Sequence, residues 1–253
     1  MPYPIEKKLV IAIASSALFD LSESDRVFHE KGEEVYRQYQ RKHQKSVLSP
    51  GVAFSFIKRL LNLNLAFPEQ QPVEVVLLSK IDPDTGLRVF HSIKEHGLTI
   101  TRGSFLNGKS PYAYIPAFNC SLFLSADPKD VKAAIDAGYP AGTVLRTQAQ
   151  DDPNDHELRV AFDFDGVVVD DEAETVYKTH DLNKFHQTES AKADIPLNPG
   201  PLSGLFKKLA FFQKLEHKRE KEDKKYKRVL RTAIITARNA PALERTVTTL
   251  RAW

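Results

Sequence analysis

Asp163 and Asp165 are the residues of this chain whose types and spacing best suit chemistry. They lie in the apolar run Val160-Ala161-Phe162-Asp163-Phe164-Asp165-Gly166-Val167-Val168-Val169. Taking a carboxylate out of water costs several kcal/mol unless a cation or a metal compensates. Two acids at the end of a buried strand therefore call for an explanation. In an extended strand, positions i and i+2 point the same way. Both carboxylates are thus expected to project near the strand's carboxyl end, where open α/β sheets bind ligands. Two oxygen donors there suit a hard cation such as Mg²⁺. A pair of solvated acids at a strand end is the competing reading of so short a motif.

The Asp-x-Asp-x-Val pattern resembles the first motif of the haloacid-dehalogenase-type phosphatases. That resemblance implies that Asp163 attacks phosphorus and carries an aspartyl-phosphate. It implies that Asp165 protonates the leaving oxygen and then activates water, which splits one hard displacement into two easier ones. A second apolar stretch, Val229-Leu230-Arg231-Thr232-Ala233-Ile234-Ile235-Thr236, reads as another buried strand ending in a hydroxyl. In the same phosphatases a strand-terminal Ser or Thr holds the phosphate, and Thr236 fits. A terminal Thr is common in any sheet.

The elements around these residues recur. Leu48-Ser49-Pro50-Gly51 returns as Leu197-Asn198-Pro199-Gly200, 149 positions on, and each precedes an amphipathic helix. The same offset sets Ala14 against Asp163 and Ser16 against Asp165. The strand Val73-Glu74-Val75-Val76-Leu77-Leu78-Ser79 matches the one ending at Thr236 at an offset of 157, and Arg88 then falls on Arg245. The expected fold is α/β, with Rossmann-like sheets in two similar units: residues 1–150, a degenerate scaffolding or substrate-covering unit, and residues 151–253, the catalytic unit. Chance sharing of Pro-Gly turns is the alternative. The first unit should close with a strand at 121–124, a helix from Pro128 to Ala137 and a strand Thr143-Val144-Leu145. Gly97 has its counterpart one position past Trp253, so the second unit is expected to lack that closing third.

Composition narrows the class. The net charge is +3, with acids and bases interleaved, so nothing calls for nucleic acid. Cys120 is the single cysteine, which excludes an internal disulfide framework and fits a reducing compartment. The apolar stretch from Leu9 to Ala14 is too short to span a membrane and lacks a signal-peptide pattern. The expectation is a soluble, cytoplasmic protein with no membrane partner; a homo-oligomer is left open. The run Lys214-Leu215-Glu216-His217-Lys218-Arg219-Glu220-Lys221-Glu222-Asp223-Lys224-Lys225 reads as a solvated helix end or loop. His180, His186 and His217 show no metal-ligand spacing. Asp170, Asp171, Glu172 and Glu174 read as loop acids close behind the first motif.

Further stretches bring a closer resemblance. They are Ala14-Ser15-Ser16-Ala17-Leu18-Phe19-Asp20, Leu48-Ser49-Pro50-Gly51-Val52-Ala53-Phe54, Gly108-Lys109-Ser110-Pro111-Tyr112 and Leu122-Phe123-Leu124-Ser125-Ala126-Asp127. Arg159-Val160-Ala161-Phe162-Asp163, Asp171-Glu172-Ala173-Glu174 and Thr236-Ala237-Arg238 complete the set. In order and spacing the chain resembles the cytosolic type I 5′-nucleotidases from Leu9 to Trp253. The resemblance implies Mg²⁺-dependent hydrolysis of nucleoside 5′-monophosphates such as AMP, with metal on Asp163 and the Asp165 backbone carbonyl. Arg102, Lys109 and Arg238 are candidate substrate contacts, although ordinary surface cations are the simpler reading of the first two. Two departures stand out. Pro116 replaces a lysine, and the family's closing segment, with a lysine and an acid pair, has no counterpart after Thr236. A nucleotide-binding pseudoenzyme and a phosphatase for another phosphomonoester are the rival readings.

Overall fold

The computed structural model describes residues 7–147 and 151–253, in two compact units that divide after Leu158. The division falls later than position 150 because Arg59 binds the Asp151 carboxylate (2.7 Å) and the carbonyls of Asp152 and Asp155.

The first unit begins with β1 (Leu9–Ile13), α1 (Ser15–Leu18), α2 (Ser22–Lys42), α3 (Phe54–Ala66), β2 (Val73–Ser79) and α4 (Pro83–Glu95). It continues with β3 (Arg102–Phe105), β4 (Leu122–Ser125), α5 (Pro128–Asp136) and β5 (Ala141–Thr143). The sheet is five-stranded and parallel, in the order β3-β2-β1-β4-β5, with Ile11 level with Val75 on one side and Leu122 on the other. Strands covered on both faces read as continuous apolar runs, and β1, Leu-Val-Ile-Ala-Ile, is buried at every position. Val10, Ala12, Val76, Leu78, Phe123 and Ala134 pack together on one side. This is the α/β, Rossmann-like sheet expected. The last strand corrects the expectation of 143–145: β4 sets the register, pairing Phe123 with Ala141 and Ser125 with Thr143, so β5 stops where β4 stops.

The second unit contains β6 (Leu158–Asp163), α6 (Glu172–Thr179), α7 (Leu182–Ala191), α8 (Ser203–Glu222), β7 (Leu230–Ile235) and α9 (Leu243–Ala252). Its described strands, β6 and β7, form a two-stranded sheet. Burial alternates along β6 where it is continuous along β1. The charged run after Lys214 is the end of α8, as expected, with one exception. Glu216 is fully buried and accepts hydrogen bonds from Val229 N (2.7 Å), Leu230 N (3.3 Å) and Tyr226 Oη (2.8 Å), fixing where β7 starts. Burial, together with the Glu216 carboxylate, pushes the Tyr226 hydroxyl well up, so it stays a donor.

The two Pro-Gly turns make the same bonds. Phe19 bridges Pro50, and Val169 bridges Pro199. Gly51 N donates to Leu18 O, and Gly200 N to Val168 O, both at 2.9 Å. In each turn the chain passes so close to the preceding segment that a side chain cannot fit. A Cβ on Gly51 would meet Phe19 N at 2.7 Å, and one on Gly200 would come closer still to Val169 O. Both obstacles are backbone and cannot swing aside. Gly200→Ala should therefore destabilise the protein by about 2 kcal/mol or more, read as a lower urea midpoint at unchanged slope. A substitution within 0.5 kcal/mol of the parent would mean that the turn relaxes freely.

Candidate active site

The strand carrying the acids ends earlier than the i, i+2 argument supposes. β6 stops at Asp163, and 164–168 form a single wide turn. The outward placement of both acids survives because the backbone stays extended through Asp163 (φ −66°, ψ 145°) and Asp165 (φ −76°, ψ 131°). Phe164, between them, points inward and is fully buried. Gly166 then takes φ +70°, a left-handed value that suits glycine, and the turn closes with Val169 N on Phe164 O at 3.0 Å. Asp163 is exposed, and its Oδ1 accepts from Phe164 N at 2.8 Å.

Asp165 is held from the end of β7. Thr236 Oγ1 lies 3.4 Å from Asp165 Oδ2. Arg238 grips the carboxylate with a fork: Nε at 3.0 Å from Oδ1 and 3.1 Å from Oδ2, and Nη2 at 2.7 Å from Oδ1. Thr236 also accepts from Arg238 N at 3.1 Å. Asp163, Asp165, Thr236 and Arg238 thus gather where β6 and β7 end. Arg238, a candidate substrate contact by sequence, is committed to Asp165 in this structure. Its side chain is only 2% exposed, stacked near the rings of Phe164 (5.3 Å) and Phe185 (5.8 Å).

Behind Arg238 stands a charge network that sequence reasoning missed. Arg238 Nη1 donates to Glu189 Oε2. Arg245 Nη1 donates to Glu189 Oε1 at 2.8 Å, and Arg245 Nη2 to Glu172 Oε2 at 3.2 Å; Glu172 also takes a bond from Lys192. Glu189 and Arg245 are 1% and 3% exposed. The network ties α6, α7, α9 and the segment after β7 together, with three cations and three carboxylates in balance. Burial lowers the Arg238 guanidinium, but its bond to Asp165 and the charges of Asp165 and Glu189 outweigh that and raise it. Of the loop acids, Asp170 is structural as well, capping Glu172 N and accepting from Asn198.

The profile of the 5′-nucleotidase family matches residues 1–253. The chain belongs to the 5′-nucleotidase family. It is 33% identical over 260 residues to the human protein named cytosolic 5′-nucleotidase 1B, across 100% of this chain and 42% of that protein. The chain therefore spans less than half the length of that curated relative. No solved structure matches it.

The remaining residues singled out in this family member lie in the first unit. Arg102 pairs with Glu74 and sits 5.3 Å from the Phe118 ring. Lys109 is exposed on the turn after β3. A cavity of about 920 Å³ opens in that unit and includes Ser16. Among the described residues no group of three or more His, Cys, Asp or Glu converges, and no helix is long and apolar enough to cross a membrane. Asp163 and the Asp165 carbonyl are oxygen donors at one strand end. Such a set fits Mg²⁺, which binds through one or two carboxylates and keeps water and substrate phosphate for the rest.

At the rim of the network, the Lys192 bond holds the Glu172 carboxyl below the usual range, against burial and with help from Arg245. A carboxyl lowered in the folded state contributes stability above its unfolded value, about 4.3, and that stability is lost as pH falls through the folded value. Lys192→Gln should therefore reduce the stability difference between neutral and strongly acidic pH. The effect should be below about 1 kcal/mol because both partners are about a third exposed. Urea unfolding of parent and variant across that range measures it; identical profiles would show that Lys192 contributes nothing to the acid limb.

Proposed function

We propose that this chain hydrolyses nucleoside 5′-monophosphates, AMP among them, to nucleoside and phosphate, with Mg²⁺ as cofactor. The observation that carries the reading is the convergence of Asp163, Asp165 and Thr236 where β6 and β7 end. Family membership and the printed name of the human relative support the substrate class and a cytosolic location. Asp163 Oδ attacks phosphorus as the bond to the 5′ oxygen breaks, leaving an aspartyl-phosphate. Asp165 gives its proton to the departing 5′ oxygen, then takes one from the water that releases phosphate. Arg238 holds both oxygens of Asp165, and Thr236 Oγ1 lies on the Oδ2 side, where the phosphoryl group would sit. Thr236 Oγ1 steadies the phosphoryl oxygens. Mg²⁺, when bound, offsets the repulsion between the carboxylate and the phosphate dianion.

The matching Pro-Gly turns, and the Arg88–Ser46 and Arg245–Ile195 bonds that anchor corresponding helices, lead us to infer that the two units descend from one duplicated α/β unit. The second keeps the catalytic acids. The first, with Ala14 and Ser16 in their places, serves as a scaffold without turnover.

AMP hydrolysis should require Mg²⁺, being lost on chelation and restored on readdition. Asp163→Asn should lower kcat by roughly three orders of magnitude or more. A variant that keeps most of its activity removes Asp163 as nucleophile. A parent chain that binds AMP without releasing phosphate would establish a nucleotide-binding pseudoenzyme instead.

A further inference from the structure

We propose that Glu189 is a positioning residue for the reaction: anchored by Arg245, it aims Arg238 so that the guanidinium fork fixes the Asp165 carboxylate. This rests on the nucleotidase reading above and assigns a role to residues remote from the reacting atoms.

The two units share an arginine anchor. Each contains an arginine that anchors a helix in the same way. Arg88 Nε donates to Ser46 O at 3.0 Å, and Arg245 Nε to Ile195 O at 2.9 Å. Ser92 Oγ donates to Arg88 O and accepts from Leu48 N; Thr249 Oγ1 donates to Arg245 O and accepts from Leu197 N. Arg88 Nη1 donates to Gln40 Oε1 at 3.2 Å, and Arg245 Nη1 to Glu189 Oε1 at 2.8 Å. An amide oxygen is therefore enough to hold the anchoring arginine, and the fold of the second unit does not need a carboxylate at position 189 for that purpose.

What the carboxylate adds is its second oxygen, which takes Arg238. Three residues differ together between the units. Where the second has Asp165, Arg238 and Glu189, the first has Ser16, Ile81 and Gln40. The scaffold bonds remain while the chain from Glu189 through Arg238 to Asp165 is absent from the unit that lacks the catalytic acids. The chain and the catalytic aspartate are thus present together in one unit and absent together from the other, and the variants below separate a positioning role from a structural one. The fork matters because arginine presents planar, fixed N–H vectors to a carboxylate. With Glu189 behind it and the Phe164 and Phe185 rings beside it, the guanidinium is held against both oxygens of Asp165.

Glu189→Gln in the full chain keeps the Arg245 anchor, as Gln40 does for Arg88, and leaves Arg238 without its rear partner. AMP hydrolysis should show kcat lower by about 10- to 100-fold, the range seen when a partner behind a functional ligand is lost, with KM changed less than about threefold. Adding Arg238→Ile reproduces the Gln–Ile pair of the first unit. The double variant should recover the melting temperature lost in Glu189→Gln without recovering kcat. A merely structural role predicts the opposite, with kcat unchanged in the single variant or restored in the double one, and either result overturns the proposal. If the parent does not turn over AMP, the nucleotidase reading fails by itself. The positioning is then read from hydrogen exchange of the Arg238 Nε–H by NMR. Protection should fall at least about tenfold in Glu189→Gln, because the fork is no longer held; unchanged protection refutes it.

Discussion

The second unit is organised around a cation that is not allowed to move. Arg238 is stacked near two phenyl rings, gripped from behind by Glu189 and committed in front to Asp165. Burying charge is favourable only when geometry and hydrogen bonds are well matched, and removing one partner leaves the others exposed to the full desolvation cost. The packing of α6, α7 and α9 follows from this requirement, since each contributes or contacts a member of the network. Few apolar contacts hold these three short helices: Ala173, Phe185 and Ala242 make a small cluster beside the charges.

The first unit solves the same problem with hydrophobic surface. Its β1 is buried at every position, its sheet has five strands, and its one corresponding arginine meets a neutral amide. Dispersion and the hydrophobic effect are non-directional, so such a core fixes the fold without dictating where any one polar group points. Directionality is what the second unit adds, and it is supplied by the Arg238 fork and the carboxylates paired with Arg238 and Arg245.

Much of this was legible from residue order. Apolar runs bounded by turn residues located β2, β4 and β7 to within a residue, and the Pro-Gly turns appear at Gly51 and Gly200, where backbone crowds backbone. Asp163 and Asp165 stood out because carboxylates in an apolar run are anomalous. Glu189 did not stand out. It lies in Gln187-Thr188-Glu189-Ser190, a polar stretch with the look of a solvated helix face, and its burial depends on partners 49 and 56 positions away. Glu216 was hidden in the same manner inside a run of mixed charge. Pattern reading assigns charged residues to solvent by default, and a charge buried through long-range pairing defeats that default. Arg238 was noticed for its motif, but its carboxylate partners were not, because spacing cannot say which neighbouring acids a guanidinium meets.

The depth of the network has a bearing on ionic environment. Screening acts through mobile ions, and at physiological strength it weakens exposed pairs over distances of about 8 Å while leaving buried pairs largely untouched. Surface pairs such as Lys132–Asp136, three-quarters and three-fifths exposed, are open to that competition; Arg238, Glu189 and Arg245 are not. As salt rises, the protein surface loses its electrostatic texture while the arrangement around Asp165 keeps its own. The aim of the carboxylate is thereby insulated from the composition of the surrounding solution.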